Sequence, residues 1–316
     1  MVTTASRPIA KSAPPVLIRP ARRRDLSACA RVCLRALRDL SRRQGKPPPR
    51  LRPREFLPFL RHALATDPSG FHVAVSRGKV VCYAITILRD KTHFLAQFFA
   101  LPGAQGRGIG KQVLTRAFEL PRPPVDAARC LVASLDLRAQ ALYLKFGMSP
   151  RTIVYHMVGK PRVAPRVGAI ALRQVGPTGR GSTRARAVAA RFDRVLREAR
   201  RDEDHRFWFS SSTGTRFFEA RRGREIVGYI LVRGNGAIGP GGVRHPHLSE
   251  ALLSAALAKA RGLSLEKVLV WIPGLNEGAL RAAFAAGLKV DFLTVWMSSR
   301  NVGELASYIP SGGALF

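Results

Sequence analysis

The spacing of apolar residues in the first half of the chain switches between a period of two and a period near 3.6. Val16–Arg19 reads as a short strand. From there Leu26, Cys29, Ala30, Cys33, Leu34 and Leu37 fall on one helical face, with Asp25 placed to cap it. The proline-rich stretch GKPPPRLRPRE breaks the pattern, and a second helix is predicted over Glu55–Ala65. FHVAVSRGKVVCYAITILR carries two alternating runs around Arg77-Gly78, a hairpin. A strand over Thr92–Leu101, a helix over Gly108–Leu120, a buried strand in ARCLVASLD, a helix over Leu137–Phe146 ended by Gly147, and a strand over Thr152–Val158 follow. The order β-α-α-β-β-β-α-β-α-β predicts an α/β fold with a mixed sheet.

After KPRVAPRVG the pattern returns, with a strand over Ala169–Val175 and a helix near Ala185–Arg200. GREIVGYILVR (223–233) parallels GKVVCYAITIL (78–88), and VRHPHLSEALL (243–253) parallels AQGRGIGKQVL (104–114). VLVWIPGLNEGALRAAFAAGL (268–288) parallels CLVASLDLRAQALYLKFGM (130–148); Asp136 precedes Gly147 by the same interval as Asn276 precedes Gly287. The expected organisation is a basic tail over 1–15, a domain over 16–159, a linker over 160–168 and a second copy of the fold over 169–316.

At 316 residues and 46% hydrophobic, the chain is long enough for two cores. No apolar run approaches the ~18–20 residues that span a bilayer. MVTTASRPIAKSAPP lacks the apolar centre of a secretory signal, and Cys29, Cys33, Cys82 and Cys130 form no C-x-x-C pair, so a reducing cytoplasm is expected. The formal charge is +33, carried mostly by arginine. Arg19–Arg61 holds 14 basic residues against Asp25, Asp39 and Glu55. Such a surplus reads either as a basic, solvated surface or as a match for a polyanion, nucleic acid included.

Gln105-Gly106-Arg107-Gly108-Ile109-Gly110 lies between a strand and a helix. Glycines there let an anion approach the backbone, and the free N–H groups and dipole of the helix start favour a phosphate. The order is not the G-x-G-x-x-G of a dinucleotide fold, and the Gly-Lys-Ser/Thr of a Walker loop is absent.

FLAQFFALPG followed by QGRGIG resembles motif A of the GCN5-related N-acetyltransferase (GNAT) family. DLRAQALYLKFGMSPR (136–151) is similar to that family's N-x-x-A-x-x-L-Y-x-K-x-G-F motif, and IRPARRRDL (18–26) to its opening signature. The resemblance covers residues 16–159 and, with eroded motifs, extends to the second half as a tandem GNAT-like acyl-CoA N-acyltransferase.

The resemblance implies acetyl-CoA as co-substrate. Gln105, Gly106, Arg107, Gly108, Ile109 and Gly110 would present N–H groups to its pyrophosphate, and Lys111 and Arg107 would add charge. A bulged strand would offer the backbone of Phe98, Phe99 and Ala100 to the pantetheine, with the two phenyl rings in the core. Tyr143 matches the family's proton donor to the CoA sulfur; Asp136 stands where asparagine is usual. His93 is the only side chain on the preceding strand suited to act as base. In the second half Arg244–Ser249 replace the glycine loop and Ala283 falls where Tyr143 stands, so that half is expected not to bind acetyl-CoA productively. His205, His245 and His247 lack a cysteine or carboxylate at ligand spacing, so no metal is expected. The function expected is acetyl transfer to a primary amine, on a small molecule or protein, with an acidic acceptor matched to the basic stretch around the first two helices. The alternative is a non-catalytic nucleic-acid-binding or CoA-sensing protein on the same fold.

Overall fold

A computed structural model describes residues 15–162, 168, 170–176, 179–210 and 214–316. The tail over 1–14 and most of the predicted linker lie outside the described residues. The first half runs β1 (Val16–Pro20), α1 (Leu26–Arg43), α2 (Leu57–Thr66), β2 (Phe71–Ser76), β3 (Lys79–Arg89), β4 (Thr92–Ala100), α3 (Ile109–Glu119), β5 (Ala128–Ala133), α4 (Leu137–Lys145) and β6 (Ser149–Gly159). The second half repeats that order as β7 (Ala171–Val175), α5 (Gly179–Leu196), α6 (Asp202–Ser210), β8 (Arg216–Arg222), β9 (Glu225–Val232), β10 (Ala237–Val243), α7 (Ser249–Gly262), β11 (Val268–Pro273), α8 (Glu277–Ala285) and β12 (Lys289–Ser298), then adds a short β13 (Tyr308–Ile309). Among the described residues no helix is long and apolar enough to cross a membrane.

The strands form one continuous sheet in the order β1-β2-β3-β4-β5-β12-β6-β11-β10-β9-β8-β7. Read inward from either end, each half contributes five strands in sequence order and then receives the other half's last strand before its own. β12 lies antiparallel between β5 and β6, with Val295 opposite Ala133 and also opposite Ile153. β6 in turn lies between β12 and β11, with Met157 opposite Val270. The halves are therefore interlocked by exchanged strands.

The cores follow the sheet's two faces. On one face a single cluster joins α1, α2, α5 and α6 through Leu60, Phe71 and Tyr83 of the first half and Phe192, Trp208 and Tyr229 of the second. On the other, α3 and α4 cover the first half around Val113, Leu114 and Leu131, and α7 and α8 cover the second around Leu252, Ala256 and Val270. The shared face also buries charge. Arg89 bridges the halves, 2.7 Å from Asp67 and 2.8 Å from Asp204. Asp193 of α5 accepts from Arg201 (3.0 Å), Tyr229 (2.6 Å) and His205 (2.7 Å). Burial pushes the Asp193 carboxyl up, but these partners outweigh it and hold the group below the usual carboxylate range. The four cysteines are free and buried.

Candidate active site

β4 and β5 run parallel and pair only from Thr92–Leu95 against Ala128–Leu131. Beyond that point Ala96 is an extra residue in the β3–β4 register, a bulge between Leu95 and Gln97 that turns the strand away. The two strands separate and leave a cleft of about 650 Å³ between the end of β4, the loop that follows, α4 and the last turns of α1.

The loop after β4 is built by its glycines. Gly106 and Gly108 sit at φ +74° and +75°, left-handed values that a side chain would strain, and Gly108 is the residue from which α3 starts. Gly110 has a different reason: a Cβ there would come 2.8 Å from Phe98 Cζ. Among the described residues, the N–H groups of Gly106 to Lys111 have no hydrogen-bond partner; the first helical bond is from Gln112 to the Gly108 carbonyl, 3.2 Å. Six consecutive donors at a helix start are a cradle for an anion. Gln105 turns its side chain back and donates to the Ala100 carbonyl, 3.1 Å.

Of the residues singled out by sequence, Phe99, Ala100, Gln105, Gly106, Gly108, Gly110, Lys111, Asp136 and Tyr143 line this cleft. Arg107 is exposed at its rim and Ile109 turns its side chain into the core. Tyr143 on α4 is 6% exposed and meets Phe98 edge-on at 6.3 Å. Burial, reinforced by the Asp136 charge, pushes its phenol well above the ordinary value, so it keeps its proton throughout the working range.

Asp136 caps α4 by accepting from the Arg138 N–H at 3.1 Å. It also accepts from Arg43 at 2.9 Å, and Arg43 bonds Asp39 one turn back at 3.0 Å. Burial raises the Asp136 carboxyl, yet the Arg43 and Arg138 bonds prevail and hold it below the usual range. Sequence reading missed this strap and the apolar wall of Ala36, Leu37 and Leu40. The helical period was the available signal: 36, 37, 40 and 43 share one face of α1. The cleft's charged residues are Arg43, Lys111, Arg138 and Lys145 against Asp136.

His93 is a correction to the expected base. It is fully buried outside the cleft lining, 5.1 Å edge-on from Phe118, with neither ring nitrogen bonded among the described residues. Burial, helped by Arg129, drops its imidazole to about 4. It precedes the bulge, at the closed end of the β4–β5 pairing, so it packs with α3.

In the second half the loop Arg244–Leu248 has no glycine, and Ala283 is buried at the position of Tyr143. His205 is committed to Asp193, while His245 and His247 stack at 5.7 Å on the surface. Among the described residues no group of His, Cys, Asp or Glu is arranged to hold a metal ion.

Residues 34–148 match the model of the acetyltransferase (GNAT) family. No curated protein matches the chain. Among solved structures it is similar to a Pyrococcus horikoshii protein provisionally described as an acetyltransferase, with TM-score 0.71 and 18% identity over 99% of this chain and 100% of that one. A GCN5-related N-acetyltransferase from Sphaerobacter thermophilus aligns with TM-score 0.62 and 19% identity over 92% and 98%. A tandem GNAT protein from the clavulanic acid biosynthesis pathway aligns with TM-score 0.55 and 18% identity over 91% and 99%. The cleft lies within the segment that matches the GNAT acetyltransferase family model, and the second half, outside that match, repeats the element order in tandem.

Proposed function

We propose that the first half transfers an acetyl group from acetyl-CoA to a primary amine. The observation that carries this reading is one cleft combining six free backbone donors with a buried, protonated tyrosine. The fit is chemical: N–H groups of Gly106 to Lys111 suit a pyrophosphate, and four surrounding cations suit a polyanionic co-substrate. The unpaired edge of β4 at Phe98–Ala100 suits an extended amide-bearing arm.

Acetyl-CoA supplies an activated thioester. The acceptor's neutral amine forms the new C–N bond as the C–S bond breaks, and Tyr143 gives its proton to the departing sulfur. Among the described residues Asp136 is the one carboxylate on the cleft lining; it is held by Arg43 and kept ionised, and His93 is out of reach. The amine's proton therefore leaves through water.

The acceptor is anionic or carried on an anionic molecule. Arg31, Arg35, Arg38 and Arg42 follow one another at intervals of four, three and four along the exposed face of α1, a stripe about 16 Å long. Among the described residues only Arg42 in that stripe has an ion-pair partner, Asp39. The helix whose inner face walls the cleft thus shows unneutralised charge outward.

The test is a thiol-release screen of anionic, neutral and cationic amines at low and high salt, with Tyr143→Phe in parallel. The expected result is turnover favouring anionic amines, weakening with salt, and lowered 10²- to 10⁴-fold in Tyr143→Phe with acetyl-CoA affinity unchanged. Full activity of the variant removes Tyr143 from the chemistry.

A further inference from the structure

β4 and β10 occupy equivalent places, and their registers allow a residue-by-residue comparison. Phe99 lies opposite Tyr83 across β3–β4, and Gly242 lies opposite Tyr229 across β9–β10. Each strand carries its irregularity just before that point, between Leu95 and Gln97 in one and between Ile238 and Gly241 in the other. β10, like β4, then separates from its parallel neighbour: it pairs with β11 only at Ala237 and Ile238. The second half therefore opens the same wedge.

That wedge is filled by the chain itself. β13 lies antiparallel on the open side of β10, Gly241 opposite Ile309 and Gly242 opposite Tyr308. Asn276, the N-cap of α8 and counterpart of Asp136, is fully buried. Its Oδ1 caps the Ala279 N–H at 3.1 Å, and its Nδ2 donates to the Tyr308 carbonyl at 3.1 Å. Where the first half has Phe98 and Phe99, the second has Gly241 and Gly242. A Cβ on Gly242 would lie 2.6 Å from the Ser307 carbonyl oxygen, and one on Gly239 would strike that of Pro310. The glycines of β10 leave room for this segment as those after β4 leave room at the loop.

We propose that the second half's cofactor cleft has an internal ligand, the segment Leu305–Pro310, which follows β10 along the line that a pantetheine arm would follow beside β4. This rests on the reading of the first-half cleft as the acetyl-CoA site. The filled wedge satisfies the free edge of β10 without a cofactor. β11 and α8 are thereby fixed whether or not co-substrate is present, and the second half remains a permanent scaffold delivering β12 into the first half's sheet. The phosphate cradle is reduced to match: eight residues separate β4 from α3, but five separate β10 from α7, with Pro246 among them.

Hydrogen exchange on the full chain, with and without saturating acetyl-CoA, tests this. Peptides covering 239–243 and 305–310 are expected to exchange slowly and identically in both conditions, while 98–111 slows only with acetyl-CoA. Slowing at 239–243 with faster exchange at 305–310 on adding acetyl-CoA would overturn the proposal, because the segment would then be displaceable. Slow exchange at both second-half peptides with no response at 98–111 leaves the internal ligand standing and removes the acetyl-CoA reading instead. Asn276→Asp keeps the cap of α8 but turns an acceptor toward the Tyr308 carbonyl. It is expected to speed exchange at 305–310 about tenfold or more without creating a second acetyl-CoA site; unchanged exchange, or a second site, contradicts the assignment.

Discussion

Replacing His93 with leucine separates the two roles a histidine on β4 could have. The imidazole is fully buried against Phe118, and its two nitrogens have no partner among the described residues. Burial and the nearby Arg129 lower it to about 4, against an ordinary value of ~6.5. Between those two values the unfolded chain takes up a proton that the folded chain refuses. Stability is therefore complete above about pH 6.5 and falls as the pH drops toward 4. At ~1.4 kcal/mol per pH unit, the full loss is roughly 3 kcal/mol. His93→Leu removes this loss while keeping an apolar side chain of similar size. Urea unfolding of both proteins at pH 7.5, 6.5, 5.5 and 4.5 reads the effect as a difference, in which carboxylates common to both cancel. The variant should gain on the parent steadily below pH 6.5 and keep its acetyl-transfer rate at pH 7.5. A pH-independent difference would mean that the imidazole is hydrated. Loss of transfer with acetyl-CoA binding and stability intact would restore it as the base.

Two further results follow from the interlocked sheet. Arg89→Met leaves Asp67 and Asp204 buried and facing each other without their shared cation, and should lower stability by about 3–5 kcal/mol in denaturant titrations. The double change to Arg89→Met with Asp204→Leu should recover part of that loss. A fragment spanning residues 15–162 lacks β12, which leaves the facing edges of β5 and β6 unpaired. It should not form a folded monomer by size-exclusion chromatography and circular dichroism, and co-expression with residues 168–316 should rescue it.

Local features of the fold were legible in the sequence because they are local. The alternation in β2, β3 and β4 and the glycines at 106 and 108 each state a backbone requirement within a few residues. The common interval from Asp136 to Gly147 and from Asn276 to Gly287 exposed the repeat for the same reason. Strand exchange left no such mark. β6 and β12 would alternate in the same way beside either neighbour, and only packing across more than a hundred residues selects their positions. α6 went unrecognised because DEDHRFWFS buries Asp204 through an ion pair to Arg89 and His205 through a hydrogen bond to Asp193, neither of which a polarity pattern shows. β13 is too short to carry a period. His93 was misjudged because a strand's start resembles a surface position in sequence, whereas here it lies at the closed end of the β4–β5 wedge. The strap from Arg43 to Asp136 spans 93 positions, so neither residue announces the other.

The central claim is that one cleft, in the first half, holds one acetyl-CoA through the backbone of the Gly106–Lys111 loop. Calorimetric titration of acetyl-CoA into the full chain, stripped of nucleic acid by high salt, tests it most directly beside the Gly108→Glu/Gly110→Glu double variant. That variant places two carboxylates in the cradle, and its folding is checked by circular dichroism. The account predicts one site per chain in the parent and none in the folded variant. Two sites in the parent, no binding at all, or undiminished binding in the variant would contradict it.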